Sequence, residues 1–474
     1  MENYLCRRKA MLNKNKKSKT FVFSAYECTA IEEYLEKMAQ EGWLLKSING
    51  YTFKFTKIEP KNLKYSVALI PEVSTLDSPD SKDALEYRAY CEAAGWTYVC
   101  EKGKLQVFYT ENSSDIISIH TDENEKYKSI FKSSLYEVLL KVVLILLFSF
   151  NIYNSIFAGD MTYFFSSNLS IFASILTLVL IVINTVEVIS FIIWSIKSKI
   201  EVNHGNFMPY NTFKQFKRKN LIIKGINILI ILGILGILLI SKDGFSDAAL
   251  PILIAILMIF VIFIVDKLTK KFLCRTNYSR KTNIVISLGS MVLTFFLLMF
   301  VMVGTIMTLP INSYFDRTKP SNSDLLLTLD NFQYPNIKFE DFSYANTNSD
   351  DLYISEDTSI IGKKTFYSNC INNKYLTYSL FESNYPWAIA AVEKSLIRYE
   401  NKFIERHNDS LIGKPMIIDD IKIYNFGPNN SSYILVSNDK IISINNDFED
   451  ISNEKFINIV CNKIFNKNIS ISNS

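Results

Sequence analysis

Between Tyr136 and Leu309 long apolar runs alternate with short polar connections, and this pattern predicts the centre of the architecture. Five runs are each long enough to cross a hydrocarbon core of about 30 Å as a helix: Tyr136 to Phe157, Leu169 to Trp194, Leu221 to Ile240, Ala249 to Val265 and Ile284 to Leu309. Outside this region the periods shorten. In the amino-terminal part, Ile31, Leu35, Met38 and Ala39 recur at helical spacing, as do Tyr87, Cys91 and Ala94. Each pattern stops at a glycine, Gly42 or Gly95, which can take the left-handed conformation that caps a helix, and each glycine is followed by a tryptophan, Trp43 or Trp96. Strands are expected next. Asn49-Gly50 joins Trp43–Ile48 to Tyr51–Lys57, and Lys102-Gly103-Lys104 precedes Leu105–Tyr109.

With leading strands at Thr20 to Ser24 and Leu63 to Ile70, both halves of this part read as strand, helix, strand, strand. Tyr34 precedes Gly42 by eight residues, and Tyr87 precedes Gly95 by the same interval, so the two halves form an internal repeat. A small α+β domain over 20–111 is expected, with helices on one sheet face. The Gly-Trp pairs could offer aromatic platforms to a ligand; packing at a helix-to-strand corner is the alternative reading. Residues 1–19 form a basic tail with Arg7, Arg8, Lys9, Lys14, Lys16, Lys17 and Lys19. It suits either a solvated segment or contact with anionic head groups, and no apolar core of the kind a cleavable signal needs follows it. A polar linker, 112–135, leads to the membrane.

Beyond Pro310 the composition turns to Asn, Ser, Asp and Tyr, and a second α+β domain is expected over 310–474. Ser321 to Asp351 reads as irregular chain with a short strand at Leu325 to Leu329. Pro386 to Phe403 reads as a helix, with proline at its start and Ile389, Val392, Leu396, Ile397 and Tyr399 at helical spacing. Strands are predicted at Met416 to Phe426, Tyr433 to Ser437 and Lys440 to Ile444, the last two joined at Asn438-Asp439, and a helix closes the region from Asn453 to Phe465. The expected fold class is thus a five-helix transmembrane bundle flanked by two small α+β domains.

Charge orients this bundle. Residues 1–135, 136–310 and 311–474 carry net charges of +1, +8 and −5, so the positive excess lies in the membrane region. It is concentrated in two connections. Ile196 to Asn220 carries Lys197, Lys199, Lys214, Lys217, Arg218 and Lys219, and Asp266 to Asn283 carries Lys267, Lys270, Lys271, Arg275, Arg280 and Lys281. Ala158 to Asn168 has neither Lys nor Arg, and Ser241 to Ala248 has Lys242 against Asp243 and Asp247. Basic connections remain in the cytoplasm, so the amino terminus is expected inside and the carboxy-terminal domain outside, in a bacterial plasma membrane.

Few polar groups enter the apolar runs. Glu187 lies in the second, with Asn184 one turn earlier on the same face; an ionisable group there suggests ion coupling or gating, or a pair with Lys224 near the start of the third run. Lys141, one turn into the first run, is expected to snorkel to the surface. Cys370 and Cys461 are the two cysteines of the carboxy-terminal domain, and either a disulfide or two free thiols fits their positions. No Gly-rich phosphate loop ending in Lys-Ser/Thr, no His-Glu-x-x-His, no Cys-x-x-Cys and no Gly-x-Ser-x-Gly occurs. His120, His204 and His407 are scattered. Asp350-Asp351 and Asp419-Asp420 could touch a cation or stay solvated. No cofactor, metal or catalytic constellation is therefore expected.

The segment Tyr34-Leu35-Glu36-Lys37-Met38-Ala39-Gln40-Glu41-Gly42-Trp43, then Phe53-Lys54-Phe55, Leu63-Lys64-Tyr65 and Tyr87-Arg88-Ala89-Tyr90-Cys91-Glu92-Ala93-Ala94-Gly95-Trp96, resembles the family catalogued as domain of unknown function 2812. The resemblance covers about the first quarter of the chain and brings no catalytic or ligand residues. It implies a domain placed before membrane segments in bacterial proteins, often encoded beside small winged-helix regulators. The expected partners are the bilayer and a protein bound at the amino-terminal domain, without direct contact to nucleic acid; a homodimer would be one way to complete a path through the membrane. A sensory or regulatory role is expected, with a transport or accessory subunit using Glu187 as the alternative.

Overall fold

The computed structural model describes residues 15–71, 73, 76–78, 80–111, 118–119, 122–159, 161–209, 211–240, 245–276, 278–308, 327–332, 353–371, 374–406, 415–426, 432–446 and 451–467. Two compact units are distinguished. One comprises 1–146, 180–234 and 251–308, the other 147–179, 235–250 and 309–474.

In the first unit the internal repeat is realised twice over. β1 (Lys16–Thr20), α1 (Cys28–Gln40), β2 (Trp43–Asn49) and β3 (Thr52–Lys57) are followed by β4 (Lys64–Leu69), α2 (Lys82–Ala93), β5 (Thr97–Lys102) and β6 (Leu105–Thr110). Each half makes a three-stranded antiparallel sheet in the same order, β1-β3-β2 and β4-β6-β5. The likeness reaches a single residue: a bulge falls at Lys46, between Leu45 and Ser47, and another at Val99, between Tyr98 and Cys100, each three residues after its tryptophan. Gly42 and Gly95 have φ of +81° and +90°, and an added Cβ at Gly42 would lie 2.9 Å from the Ile58 carbonyl oxygen. These positions therefore favour glycine.

α1 turns Ile31, Tyr34, Leu35, Met38 and Ala39 into a core shared with Leu45, Phe53, Phe55, Tyr65 and Val67, so both sheets contribute to one interior. The outer edge of β4 is closed from the same helix. The Tyr65 and Val67 amides donate to the Glu36 and Glu32 carboxylates at 3.2 and 2.7 Å, which satisfies donors that an open edge would leave for another strand. The leading strand lies earlier than the Thr20–Ser24 expected, because after Phe21 the backbone leaves the sheet: the Val22 amide donates to the Asn220 side chain.

The apolar runs form helices α3 (Glu123–Tyr153), α5 (Asn168–Asn203), α6 (Phe213–Ile240), α7 (Phe245–Leu273) and α8 (Arg280–Thr308), with the short α4 (Met161–Ser166) between the first two. Among the described residues, four helices are long and apolar enough to cross a membrane, over Glu123–Phe157, Asn168–Asn203, Phe213–Gly236 and Lys281–Leu298. α7, where the fourth run was expected, is not among them. The side chains at 249–255 lie outside the description, and the remainder, 256–273, holds Asp266, Lys267, Lys270 and Lys271. Helix outlasts apolar sequence: α3 begins well before Tyr136 and α5 continues past Trp194. At about 1.5 Å per residue, the 36 residues of α5 span roughly 54 Å, beyond the thickness of a hydrocarbon core.

The second unit contains a seven-stranded antiparallel sheet of order β10-β11-β12-β13-β9-β8-β7. Its strands are β7 (Tyr353–Thr358), β8 (Lys363–Ile371), β9 (Lys374–Glu382), β10 (Met416–Ile418), β11 (Ile421–Phe426), β12 (Ser432–Val436) and β13 (Lys440–Asn446). Alternation assigns each face a helix. Ile421, Ile423, Tyr433, Leu435, Ile442 and Ile444 meet α10 (Asn453–Phe465), and Tyr424, Phe426, Ile434, Val436 and Ile441 meet α9 (Pro386–Arg406) together with Phe165 of α4.

The single strand expected over Met416–Phe426 is a hairpin. Asp419 and Asp420, with φ of 46° and 65°, form the turn between β10 and β11, a role that short polar side chains in left-handed conformation perform well. Of the expected strand Leu325 to Leu329, residues 327–328 take no regular structure and Leu329 opens a 3-10 turn, Leu329–Phe332; 325–326 and the Asp350-Asp351 pair lie outside the described residues.

Candidate functional site

The polar residues predicted within the membrane come together differently from expectation. The Lys141 ammonium of α3 lies 2.5 Å from the Glu187 carboxylate of α5, with side chains 23% and 18% exposed. Lys141 therefore turns to Glu187 instead of snorkelling freely. Lys224 instead lies over the Phe21 ring, 5.8 Å from its centroid, and Asn184 donates to the Leu180 carbonyl of its own helix at 2.8 Å. An ion pair in apolar surroundings recovers much of what desolvation costs each charge separately, and it joins α3 to α5.

A larger polar site lies where the amino-terminal domain meets the helices of its own unit. Glu27, 4% exposed, accepts the Ser24 amide at 2.8 Å and the Lys219 ammonium at 3.0 and 3.2 Å. Beside it Asn220, equally buried, brackets one peptide backbone: its Oδ1 accepts the Val22 amide at 2.7 Å, and its Nδ2 donates to the Val22 carbonyl at 3.0 Å. This mimics a strand pairing and replaces the partner that Val22 loses on leaving the sheet. The first amide of α6, at Phe213, donates to Glu33 of α1 at 2.7 Å, so a carboxylate sits at the positive end of that helix.

Aromatic contacts surround these polar links. Tyr34 stacks on Phe213, with centroids 5.0 Å apart and planes at 18°, and Phe21 lies 5.4 Å from Phe216. Tyr26 stacks on Trp194 of α5 at 5.6 Å. Burial, with Glu27 close by, pushes the Tyr26 phenol up to about 12, so it stays protonated. Further links reach every long helix of the unit. Tyr127 of α3 meets Ser195 of α5 at 3.0 Å, Ser129 of α3 donates to the Leu69 carbonyl, Asn283 of α8 donates to the Leu76 carbonyl and to Asp77 at 3.2 Å, and Cys274 after α7 approaches the Asp77 carbonyl at 3.4 Å.

Within the domain, burial raises Glu32 from 4.5 to about 7, opposed by Lys126 of α3 and by the Val67 amide. Burial also lowers the Lys102 ammonium, which lies 4.3 Å from the Phe23 ring and 4.5 Å from Tyr51, with Glu137 of α3 opposing the shift.

The repeated motif is structural in its surroundings. Trp96 is buried with Ala68, Cys91 and Phe108, and Tyr87 packs against the same cluster. Trp43 is half-buried with Lys17 over its ring at 5.2 Å. Tyr34 alone among the motif residues reaches the junction. Cys461 is a free, buried thiol on α10, and burial pushes it up to about 12, whereas the side chain of Cys370 lies outside the described residues. His204 meets the Ile200 carbonyl at 2.8 Å, whereas His120 and His407 lie outside the described residues. Among the described residues no three His, Cys, Asp or Glu side chains gather as metal ligands.

Sequence reasoning missed Glu27, Glu33, Phe213, Lys219 and Asn220. The available signal was the Phe213, Phe216, Asn220 spacing, which marks one helical face inside what reads as a basic connection. Comparison with curated proteins and with solved structures finds no match to this chain. Residues 27–144, which carry most of the repeated domain, the junction residues of α1 and the start of α3, match the family described as Protein of unknown function (DUF2812).

Proposed function

We propose that this chain is a sensory or regulatory protein of the bacterial plasma membrane that crosses it five times, with a cytoplasmic amino-terminal domain that binds a protein partner and an extracytoplasmic carboxy-terminal domain that receives the signal. The observation that carries this reading is the junction itself: Asn220 and Lys219 of α6 hold the backbone at Val22 and the buried Glu27. A shift or rotation of α6 by an ångström or two would break these short, directional bonds, so helix movement and domain position are coupled. The basic connections support the orientation. No chemical step is assigned to the chain.

The test has two arms. Cysteines placed at exposed Tyr399 and at exposed Tyr90, in a chain otherwise lacking reactive thiols, are treated with an impermeant thiol reagent on intact cells; labelling at 399 and protection at 90 is expected, and the reverse refutes the orientation. Mild-detergent purification of the whole protein should recover a protein partner that is lost on substitution of exposed α2 residues such as Tyr90. Recovery of the protein alone would count against the regulatory reading. The alternative, a transport component using Glu187, is favoured by the carboxylate within an apolar helix, and loss of a transported solute in folded Glu187→Gln protein would support it.

A further inference from the structure

Between β1, α1 and the first turns of α6 lies a cavity of about 550 Å³. Its wall carries Lys19, Lys37, Lys214, Lys217, Arg218 and Lys224, and Glu41 is the one carboxylate among the described residues that line it. That carboxylate is already engaged by Lys17 at 3.7 Å. Lys19, Lys37, Lys214, Lys217 and Arg218 make no ion pair with any described carboxylate, although the adjacent Lys219 is neutralised by Glu27. So many like charges lining one cavity repel, and an anion bound among them removes that repulsion.

The remaining wall is apolar and fixes the depth. Leu221 and Lys224 belong both to the lining and to the helix that is apolar enough to span a membrane, so the cavity sits where that span begins. Just beyond it Leu221, Ile222, Ile228 and Leu229 are exposed, a surface that acyl chains would cover.

We propose that this cavity is a binding site for the phosphate headgroup of an anionic phospholipid, with its chains lying along α6. The chemistry is that of a phosphate diester or monoester met by several ammonium groups and one guanidinium. Because Tyr34, Phe213 and Asn220, which line the same cavity, hold the amino-terminal domain against α6, an occupied site ties lipid composition to the position of that domain.

The test uses the full chain in zwitterionic detergent, titrated with short-chain phosphatidylglycerol, with phosphatidylcholine, or with inorganic phosphate, and read by native mass spectrometry. Each basic group near a charged membrane surface contributes about a fivefold factor. The triple substitution Lys214→Gln, Lys217→Gln, Arg218→Gln should therefore weaken phosphatidylglycerol retention roughly a hundredfold, and Lys37→Gln, an exposed change on another element that leaves folding untouched, about fivefold. A control triple of equal charge, Lys267→Gln, Lys271→Gln, Arg275→Gln, should leave retention within about twofold. Equal loss in both triples, unchanged binding in Lys37→Gln, or no preference over phosphatidylcholine overturns the site. Binding of inorganic phosphate as tight as that of the lipid overturns the lipid as its source.

Discussion

Replacing Asn220 by alanine tests the junction at its most specific point. In the native protein the Asn220 amide accepts from the Val22 N–H at 2.7 Å and donates to the Val22 carbonyl at 3.0 Å, within a site where Asn220 is 4% exposed. The alanine removes both bonds and leaves a backbone donor and acceptor with no strand partner. A net loss near 1 kcal/mol per neutral bond, with the added penalty for groups left unsatisfied in a buried place, gives about 2 to 3 kcal/mol for local opening. That corresponds to roughly 30- to 150-fold faster exchange at the Val22 amide if the segment opens locally.

The assay is hydrogen exchange of the full-length protein in detergent, comparing the 20–24 segment with β2 and β3, whose ladder bonds the change does not touch. Acceleration confined to the segment around Val22, with the strands unchanged, is the expected result. Asn220→Asp should be worse than alanine, since a carboxylate would face the Val22 carbonyl. Unchanged exchange at Val22 in Asn220→Ala would refute the reasoning, because it would mean that other contacts alone fix the segment.

Three further outcomes follow from particular contacts. Lys141→Met or Glu187→Leu alone should destabilise the protein by about 3 to 5 kcal/mol by leaving one charge unpaired, whereas the double Lys141→Met, Glu187→Leu should recover most of it; thermal unfolding in detergent decides, and additive losses would show the pair to be uncoupled. Because burial raises Glu32 from 4.5 to about 7, the folded domain holds a proton that the unfolded chain has released between these values, so stability falls as pH rises through that window, by up to about 3 kcal/mol; Glu32→Gln keeps an acceptor for the Val67 amide and should flatten melting temperature against pH from 5 to 8. Gly50→Ala, at φ +57° with open space around it, should cost about 1 kcal/mol. Gly42→Ala should cost clearly more, since the same strain is joined by a Cβ 2.9 Å from the Ile58 carbonyl, and equal effects in chemical denaturation would contradict this.

The elements that were legible in the sequence are those whose signals are local. Apolar length marks a spanning helix wherever it occurs, so four of the five runs reappear as helices long and apolar enough to cross a membrane. The two Gly-Trp corners and the hairpins at Gly50 and Gly103 were legible because a positive φ nearly demands glycine, and all four glycines have it. α9 and α10 followed from periodicity, with α10 observed at Asn453–Phe465 as predicted. β7, β8 and β9 were not placed, because they mix Tyr, Ser, Thr and Asn and bury Ser355 and Asn369, which conceals the alternation. The hairpin at Asp419-Asp420 was hidden for a related reason: two aspartates in left-handed conformation look like solvated acids until the chain reverses there.

Spans, repeats and caps are thus determined by the sequence itself, since each is written in contiguous stretches of chain rather than in partners from other elements. What only the tertiary structure decided is partnership. Glu187 pairs with Lys141 instead of Lys224, and Val22 leaves its strand for Asn220, because the choice among chemically equivalent partners depends on which elements lie side by side. Lys224 could not be distinguished from Lys141 by charge or by depth. It is drawn away because Asn220 and Lys219, one turn earlier on the same helix, are already fastened to the amino-terminal domain, and a helix turns all of its side chains together.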